Sequence, residues 1–236
     1  NSVRQVAETP VSTFSIDVDT GSYANIRRFL DSGQLPPTDA VRVEEMLNYF
    51  DYAYAAPESR ETPFSITTDM VPAFWNHDLR LLRIGLKGYE IPNAQRPAAN
   101  LVFLIDVSGS MSGPRKLPLL KASLKLLVGK LGGRDRISIV VYAGQAGVVL
   151  EPVSGDEKAA INSAIDRLAV GGSTAGGAGL RLAYEMASRG YITDGINRIL
   201  LATDGDFNVG VSDIRELRGL VADKRRDGIS LTTLGF

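Results

Sequence analysis

The second half of the chain alternates between short apolar runs and stretches with helical spacing of apolar residues. The apolar runs, which are typical of strands, cover residues 101–106, 137–143, 147–153, 198–203 and 229–234. The helical patterns between them cover 118–131, 156–169, 180–188 and 213–226. Strands that alternate with helices predict an α/β fold with a doubly wound, mostly parallel sheet.

Two features qualify that sheet. Only a few residues around Gly144 separate the strands 137–143 and 147–153, which is too short for a crossover helix. We therefore expect this pair to be antiparallel, with the second strand at the edge. The chain also stops at Phe236, at the end of a predicted strand, where a doubly wound fold usually continues with another helix and strand. We therefore expect the domain to be incomplete at its C-terminus.

The first 97 residues have a different pattern, typical of a smaller α+β region. Apolar and polar residues alternate over 11–18, 64–70 and 79–86, which predicts three strands, the last two paired with each other. Helices are expected after Ser22 and after Thr38 or Asp39, which are residue types that favour a helix N-cap. The sequence thus predicts an N-terminal region at 1–97 and a second domain at 98–236.

Composition limits the chemistry that is available. Lys and Arg number 26 against 27 Asp and Glu, so the net charge of −1 gives no general attraction for nucleic acid. No apolar run reaches the length of a membrane span. With no Cys and a single His, His77, the chain cannot build a usual structural zinc site or a Cys–His nucleophile pair. Any bound metal is expected to be a hard cation held by oxygen.

Oxygen-bearing side chains are concentrated in three loops. Asp106, Ser108 and Ser110 form a D-x-S-x-S string directly after a predicted buried strand, Thr174 lies in a glycine-rich loop, and Asp204 follows the strand 198–203. Ligands of open α/β sheets bind at the carboxyl ends of the strands, so the three loops share one crevice if the strands before Asp106 and Asp204 are neighbours. Two carboxylates and three hydroxyls suit Mg²⁺, Mn²⁺ or Ca²⁺.

The strings DVSGSM at 106–111, GST at 172–174 and LATDGD at 201–206 resemble a von Willebrand factor type A (VWA) domain with its metal-ion-dependent adhesion site (MIDAS). The resemblance covers roughly residues 98–236. It implies that Ser108, Ser110 and Thr174 contact the metal, and that Asp106 and Asp204 bind it directly or through water. It also implies a protein partner whose Asp or Glu completes the coordination.

A second resemblance concerns residues 13–52, which are similar to the segment before this domain in a group of bacterial exported or lipoprotein-like proteins. It implies an extracytoplasmic location, in the bacterial periplasm or cell envelope.

Two further hypotheses stay open at this point. One is a metal-dependent hydrolase of the phosphatase kind, which would use Asp106 or Asp17. The other is a scaffold subunit whose metal is purely structural. Because no His or Cys accompanies the three loops, binding is favoured over catalysis, and we expect the protein not to be an enzyme.

Overall fold

The computed structural model describes residues 4–13, 15–171, 176–205 and 214–235. The chain forms two compact units, Asn1–Ile91 and Pro92–Phe236. Among the described helices, none combines the length and the apolar character that crossing a bilayer requires.

The smaller unit contains two helices and an antiparallel hairpin. The helices are α1 (Gly21–Asp31) and α2 (Val43–Asn48), and the strands are β1 (Phe64–Ala73) and β2 (Asn76–Gly88). The strands pair from Phe64 opposite Gly88 to Pro72 opposite Arg80, with an irregularity at Ala73. The predicted pairing of these two segments is therefore confirmed.

The prediction of a strand over 11–18 is wrong for the described part of that segment. Residues 11–13 and 15–18 belong to no described strand, and the side chains of Val11, Ile16 and Val18 are exposed. An alternating pattern becomes a strand only where a neighbouring strand accepts its backbone groups. The Asp17 carboxylate instead accepts a hydrogen bond from the Asp19 N–H, a local turn that competes with extended pairing.

Ser22 does not cap α1, because it lies inside that helix and is buried. Its hydroxyl donates to the Ala40 carbonyl at 2.5 Å and accepts from the Arg42 N–H at 3.0 Å. Its own N–H donates to the Glu45 carboxylate at 2.9 Å. The side chain predicted as a cap therefore joins α1 to the segment that leads into α2.

The larger unit is built on a mixed five-stranded sheet. Its strands are β3 (Ala99–Asp106), β4 (Arg136–Tyr142), β5 (Ala146–Ser154), β6 (Ile196–Thr203) and β7 (Ile229–Gly235). They lie in the order β5-β4-β3-β6-β7, and only β4 and β5 are antiparallel. The predicted antiparallel edge strand is confirmed, and β3 occupies the centre of the sheet.

Helices cover both faces of this sheet. They are α3 (Leu117–Gly129), α4 (Lys158–Asp166), α5 (Gly176–Arg189) and α6 (Ile214–Arg226). Phe103 and Ile105 of β3 pack with α3 and α4, whereas Val102 and Leu104 pack with α5 and α6. Every residue of β3 is buried, as expected of a central parallel strand. The predicted doubly wound α/β fold is confirmed.

Candidate metal centre

The site begins at the carboxyl ends of two neighbouring strands. In the parallel register of β3 and β6, Ile105 lies opposite Ala202. Asp106 is the last residue of β3, and Asp204 follows Thr203, the last residue of β6. The structure therefore brings two of the three predicted loops to the same edge of the sheet, because the strands that carry them are adjacent.

Asp106 is completely buried and is oriented by neutral donors. One carboxylate oxygen accepts the Ser108 backbone N–H at 2.8 Å. The other accepts longer contacts from the hydroxyls of Tyr142 and Thr203, each at 3.4 Å. These donors fix the direction of the carboxylate without cancelling its negative charge, so it remains available to a cation.

The two serines lie side by side on a tight turn. Ser108 precedes the short 3-10 helix Gly109–Ser112, which is anchored by the fully buried Met111. The Met111 N–H donates to the Ser108 carbonyl at 3.0 Å. The hydroxyl oxygens of Ser108 and Ser110 are 2.9 Å apart, with Ser108 buried and Ser110 exposed. Two neutral oxygens thus lie together beside the buried carboxylate.

Asp204 completes the described part of the site. Its side chain is only 4% exposed, and its Oδ2 lies 2.8 Å from the ammonium nitrogen of Lys116. The same ammonium donates to the Ser110 carbonyl at 3.1 Å. After Asp204 the chain turns at Gly205, whose φ of +102° suits a residue without a Cβ. The carboxylate of Asp204 thus attracts a positive charge to the carboxyl ends of the strands.

Tyr142 reports the electrostatics of both carboxylates. Burial raises the pKa of its hydroxyl strongly, a hydrogen bond with Thr203 lowers it, and the negative charges of Asp106 and Asp204 raise it further. Both carboxylates are therefore within electrostatic reach of the same buried hydroxyl.

Thr174, the fifth predicted residue, lies outside the described residues. Gly171, which precedes it by three positions, donates its N–H to the Val107 carbonyl at 2.8 Å. Val107 lies between Asp106 and Ser108. The chain that leads towards Thr174 is therefore tied to the D-x-S-x-S loop.

The donor set fits a hard divalent cation. Within the described residues there is no group of three or more His, Cys, Asp or Glu side chains that could hold a metal. The candidate centre has two carboxylates and neighbouring hydroxyl oxygens instead, which are ligands suited to Mg²⁺, Mn²⁺ or Ca²⁺.

Sequence reasoning missed Lys116, Tyr142 and Thr203. Tyr142 could have been found, because it ends the strand next to β3 and lies opposite Asp106 in the parallel register. Thr203 could have been found in the same way, as the last residue of β6. Lys116 gives no comparable signal, since it reaches a carboxylate 88 positions away through a flexible side chain.

An apolar hollow opens beside the same 3-10 helix. Its volume is about 320 Å³. It is lined by Met111, Ser112, Leu117, Pro118, Lys121, Leu168 and Val170. Two of its lining residues, Met111 and Ser112, thus belong to the same 3-10 helix as Ser110.

In the smaller unit, Asp17, which the hydrolase hypothesis would use, is engaged in structural contacts, as is its neighbour Asp19. Asp17 and Asp19 have backbone carbonyls within reach of the Asn48 amide, at 2.7 and 3.4 Å. The Asp17 carboxylate also faces the Arg42 guanidinium at 3.4 Å. His77 is exposed at the start of β2.

Two family models match the chain. Residues 101–206 match the model described as the von Willebrand factor type A domain, and residues 1–83 match a separate model described as von Willebrand factor. The first match includes Asp106, Ser108, Ser110 and Asp204.

Three similar proteins are longer than this chain. The uncharacterized protein YfbK of Escherichia coli strain K12 is 52% identical over 241 residues, which cover 100% of this chain and 42% of YfbK. A von Willebrand factor type A structure from Catenulispora acidiphila is 19% identical with a TM-score of 0.51, covering 79% of this chain and 42% of that one. It supports the fold alone.

A third similar protein is the mussel byssus proximal thread matrix protein 1, in a structure with a zinc-occupied MIDAS motif. It is 25% identical with a TM-score of 0.47, covering 59% of this chain and 36% of that one. The zinc is a property of the mussel protein. The matched segments thus cover less than half the length of each of these three proteins.

Proposed function

Because the chain contains a von Willebrand factor type A domain, a fold that typically binds proteins, we propose that it is a protein-binding module dependent on Mg²⁺, Mn²⁺ or Ca²⁺. The observation that carries the proposal is the gathering of Asp106, Ser108, Ser110 and Asp204 at the carboxyl ends of two neighbouring strands. Thr174 is included in the proposed set of metal ligands because the GST string at 172–174 resembles the MIDAS motif. The role is adhesion or scaffolding rather than catalysis.

Each side chain has a distinct task in this proposal. The hydroxyls of Ser108, Ser110 and Thr174 are proposed to contact the metal directly as neutral ligands. Asp106 and Asp204 supply two negative charges, directly or through water. Neutral hydroxyls withdraw little of the positive charge of an ion. The bound cation supplies a Lewis-acidic centre that accepts one more anionic oxygen, which an Asp or Glu of a partner protein provides.

The apolar hollow supports a protein as the partner. A small free carboxylate would use only the metal, whereas a protein chain that brings its carboxylate to the site also covers the neighbouring surface. Burying apolar surface contributes roughly 25 cal/mol per Å² to such an association. The exposed apolar residues of its lining, Pro118 and Val170, therefore favour a partner with apolar side chains beside its acidic residue.

The metal site is tested by titrating the protein with Mg²⁺ and Mn²⁺ in a calorimeter, beside the variant Asp106→Asn. The substitution keeps the size of the side chain but removes one of the two charges, so we expect metal affinity to fall at least about tenfold. Asp166→Asn removes a charge from an exposed ion pair with Lys125 and serves as the control. Equal affinity in the parent and in Asp106→Asn contradicts the assignment.

Partner binding is tested by immobilising the parent protein and Asp106→Asn, loading native extract in the presence of Mg²⁺, and eluting with a chelator. We expect proteins that elute from the parent and that Asp106→Asn fails to retain. A parallel assay follows hydrolysis of a generic phosphate ester. Metal-dependent turnover that disappears in Asp106→Asn would favour the hydrolase instead, and a metal without partner capture would favour a structural role.

A further inference from the structure

Lys116 places an ammonium group inside the candidate metal centre. Its nitrogen lies 2.8 Å from Oδ2 of Asp204 and 3.1 Å from the carbonyl oxygen of Ser110. Both residues belong to the proposed ligand set. The ammonium of Lys116 therefore neutralises part of the negative charge that is proposed to hold a divalent ion.

The local structure does not explain why a lysine is at this position. Lys116 is the N-cap of α3 and makes no side-chain hydrogen bond to the helix. The N-terminus of a helix carries partial positive charge, which disfavours a neighbouring cation, and N-caps favour Ser, Thr, Asp or Asn. The ammonium is thus held by Asp204 and not by the helix that follows it.

The pair is also asymmetric in its exposure. The Asp204 side chain is 4% exposed, whereas the Lys116 side chain is 35% exposed and joined to its backbone by a flexible four-carbon stem. The carboxylate is fixed in the site, but the ammonium can leave towards solvent. An arriving ion can therefore replace the lysine without a change in the fold.

We propose that Lys116 is a tethered cation that competes with the metal for the site; this inference rests on the proposed function. Without metal, its ammonium neutralises Asp204 and stabilises the fold. A divalent ion must displace it, so the lysine lowers the apparent metal affinity and makes the site bind only when the ion is sufficiently concentrated.

The size of the effect follows from a simple equilibrium. The apparent dissociation constant equals the intrinsic one divided by the fraction of molecules whose site is open. If the Lys116–Asp204 pair is formed in about 90% of metal-free molecules, removing it tightens metal binding roughly tenfold.

The test is titration calorimetry with Mg²⁺ alone on the whole chain, combined with thermal unfolding without metal. We expect Lys116→Met to bind Mg²⁺ roughly tenfold more tightly than the parent, and to melt at a lower temperature in chelator. Lys116→Arg keeps the charge and should retain the affinity of the parent. Lys125→Met breaks the exposed Lys125–Asp166 pair and so makes the same change of charge away from the site. It should leave the affinity for Mg²⁺ unchanged.

The opposite directions of the two readouts distinguish the proposal from a structural role. A lower melting temperature with unchanged Mg²⁺ affinity overturns the inference and leaves a purely structural lysine. Weaker Mg²⁺ binding in Lys116→Met also overturns it, because the lysine would then assist the metal. If neither the parent nor Lys116→Met binds Mg²⁺, the proposed metal site itself fails, and the inference fails with it.

Discussion

Asp106 illustrates how a single residue can be prepared for a cation. Burying an ionised carboxylate is costly unless it is paired or hydrogen-bonded. Within the described residues, the donors that reach Asp106 are all neutral: the Ser108 N–H and the hydroxyls of Tyr142 and Thr203. Hydrogen bonds reduce the cost of burial, and the charge that remains makes the site selective for a positive ligand.

Asp135 shows the contrasting case of a buried carboxylate with a structural task. It accepts hydrogen bonds from the backbone N–H groups of Ala99 and Gly132, both at 2.9 Å, and from the Arg96 guanidinium at 2.7 Å. Burial raises its pKa, but the bonds from Arg96, Gly132 and Ala99 outweigh burial and hold the pKa below its usual value. Its charge therefore stabilises the folded state.

We predict that Asp135→Asn lowers the free energy of unfolding at pH 7 by about 2 kcal/mol, since hydrogen bonds to a charged group are lost. The folded-state pKa is depressed, so the contribution is fully present above the unfolded-state value near 4 and is lost as pH falls through the folded-state pKa. Urea unfolding from pH 7 down to pH 3 measures both effects. The difference between the parent and the variant should be constant above about pH 5 and should begin to shrink below about pH 4. A constant difference across that range would contradict the prediction.

Among the secondary-structure elements, α5 lies very close to the sheet. A Cβ placed on Gly179 would lie 2.8 Å from Cβ of Tyr142 and 3.3 Å from Cδ1 of Leu104. Both of those residues belong to strands of the sheet, and Tyr142 also contacts Asp106. The absence of a side chain at Gly179 therefore allows α5 to pack directly above the strands that carry the site.

We predict that Gly179→Ala destabilises the protein by about 1–3 kcal/mol, because the added methyl group overpacks the interface. This loss outweighs the gain in helix propensity, which is about 1 kcal/mol. Gly219→Ala in α6 is the matched control, since its Cβ would meet open space. Gly219→Ala should stabilise the helix. Unfolding both variants in guanidinium measures the two changes in the free energy of unfolding, which should have opposite signs. Stabilisation by both substitutions would show that α5 can move away without cost.

The same elements show what the sequence could and could not predict. The strands β3, β4 and β6 were predictable because burial on both faces leaves continuous apolar runs, and the antiparallel β5 followed from its short connection to β4. The strand over 11–18 was not, because its alternating pattern leaves open whether a partner strand is present. Lys116 was not predictable either, since its pairing with Asp204 depends on tertiary structure and not on local pattern.

At the scale of the whole molecule, the buried apolar residues are unevenly distributed. Among the described residues, both apolar clusters that pack against the sheet lie within the larger unit. In the smaller unit, the hairpin leaves large apolar side chains exposed, including Phe64, Ile66, Met70 and Trp75. The larger unit therefore contains its own hydrophobic core, whereas the smaller unit buries little apolar surface by itself.

The position of the domain boundary can be decided from this distribution. The sequence predicts a boundary after residue 97, whereas the compact units divide after Ile91. The two choices differ by residues 92–97, which include Arg96, whose guanidinium binds Asp135 at the end of the sheet opposite the metal centre. We predict that the fragment 92–236 unfolds cooperatively and keeps the Mg²⁺ affinity of the whole chain, because it contains the core and the described site residues.

The fragment 98–236 lacks Arg96 and leaves the buried Asp135 with its backbone donors alone. It should be less stable than 92–236 by about 2 kcal/mol, which corresponds to a melting temperature roughly 4–8 °C lower. Arg96→Met in the whole chain removes the same guanidinium and should reproduce the loss, which separates it from any effect of shortening the chain. Thermal unfolding of the three proteins at pH 7 is the measurement. Equal melting temperatures for the two fragments would support the boundary after residue 97, because Arg96 would then contribute nothing to the larger unit.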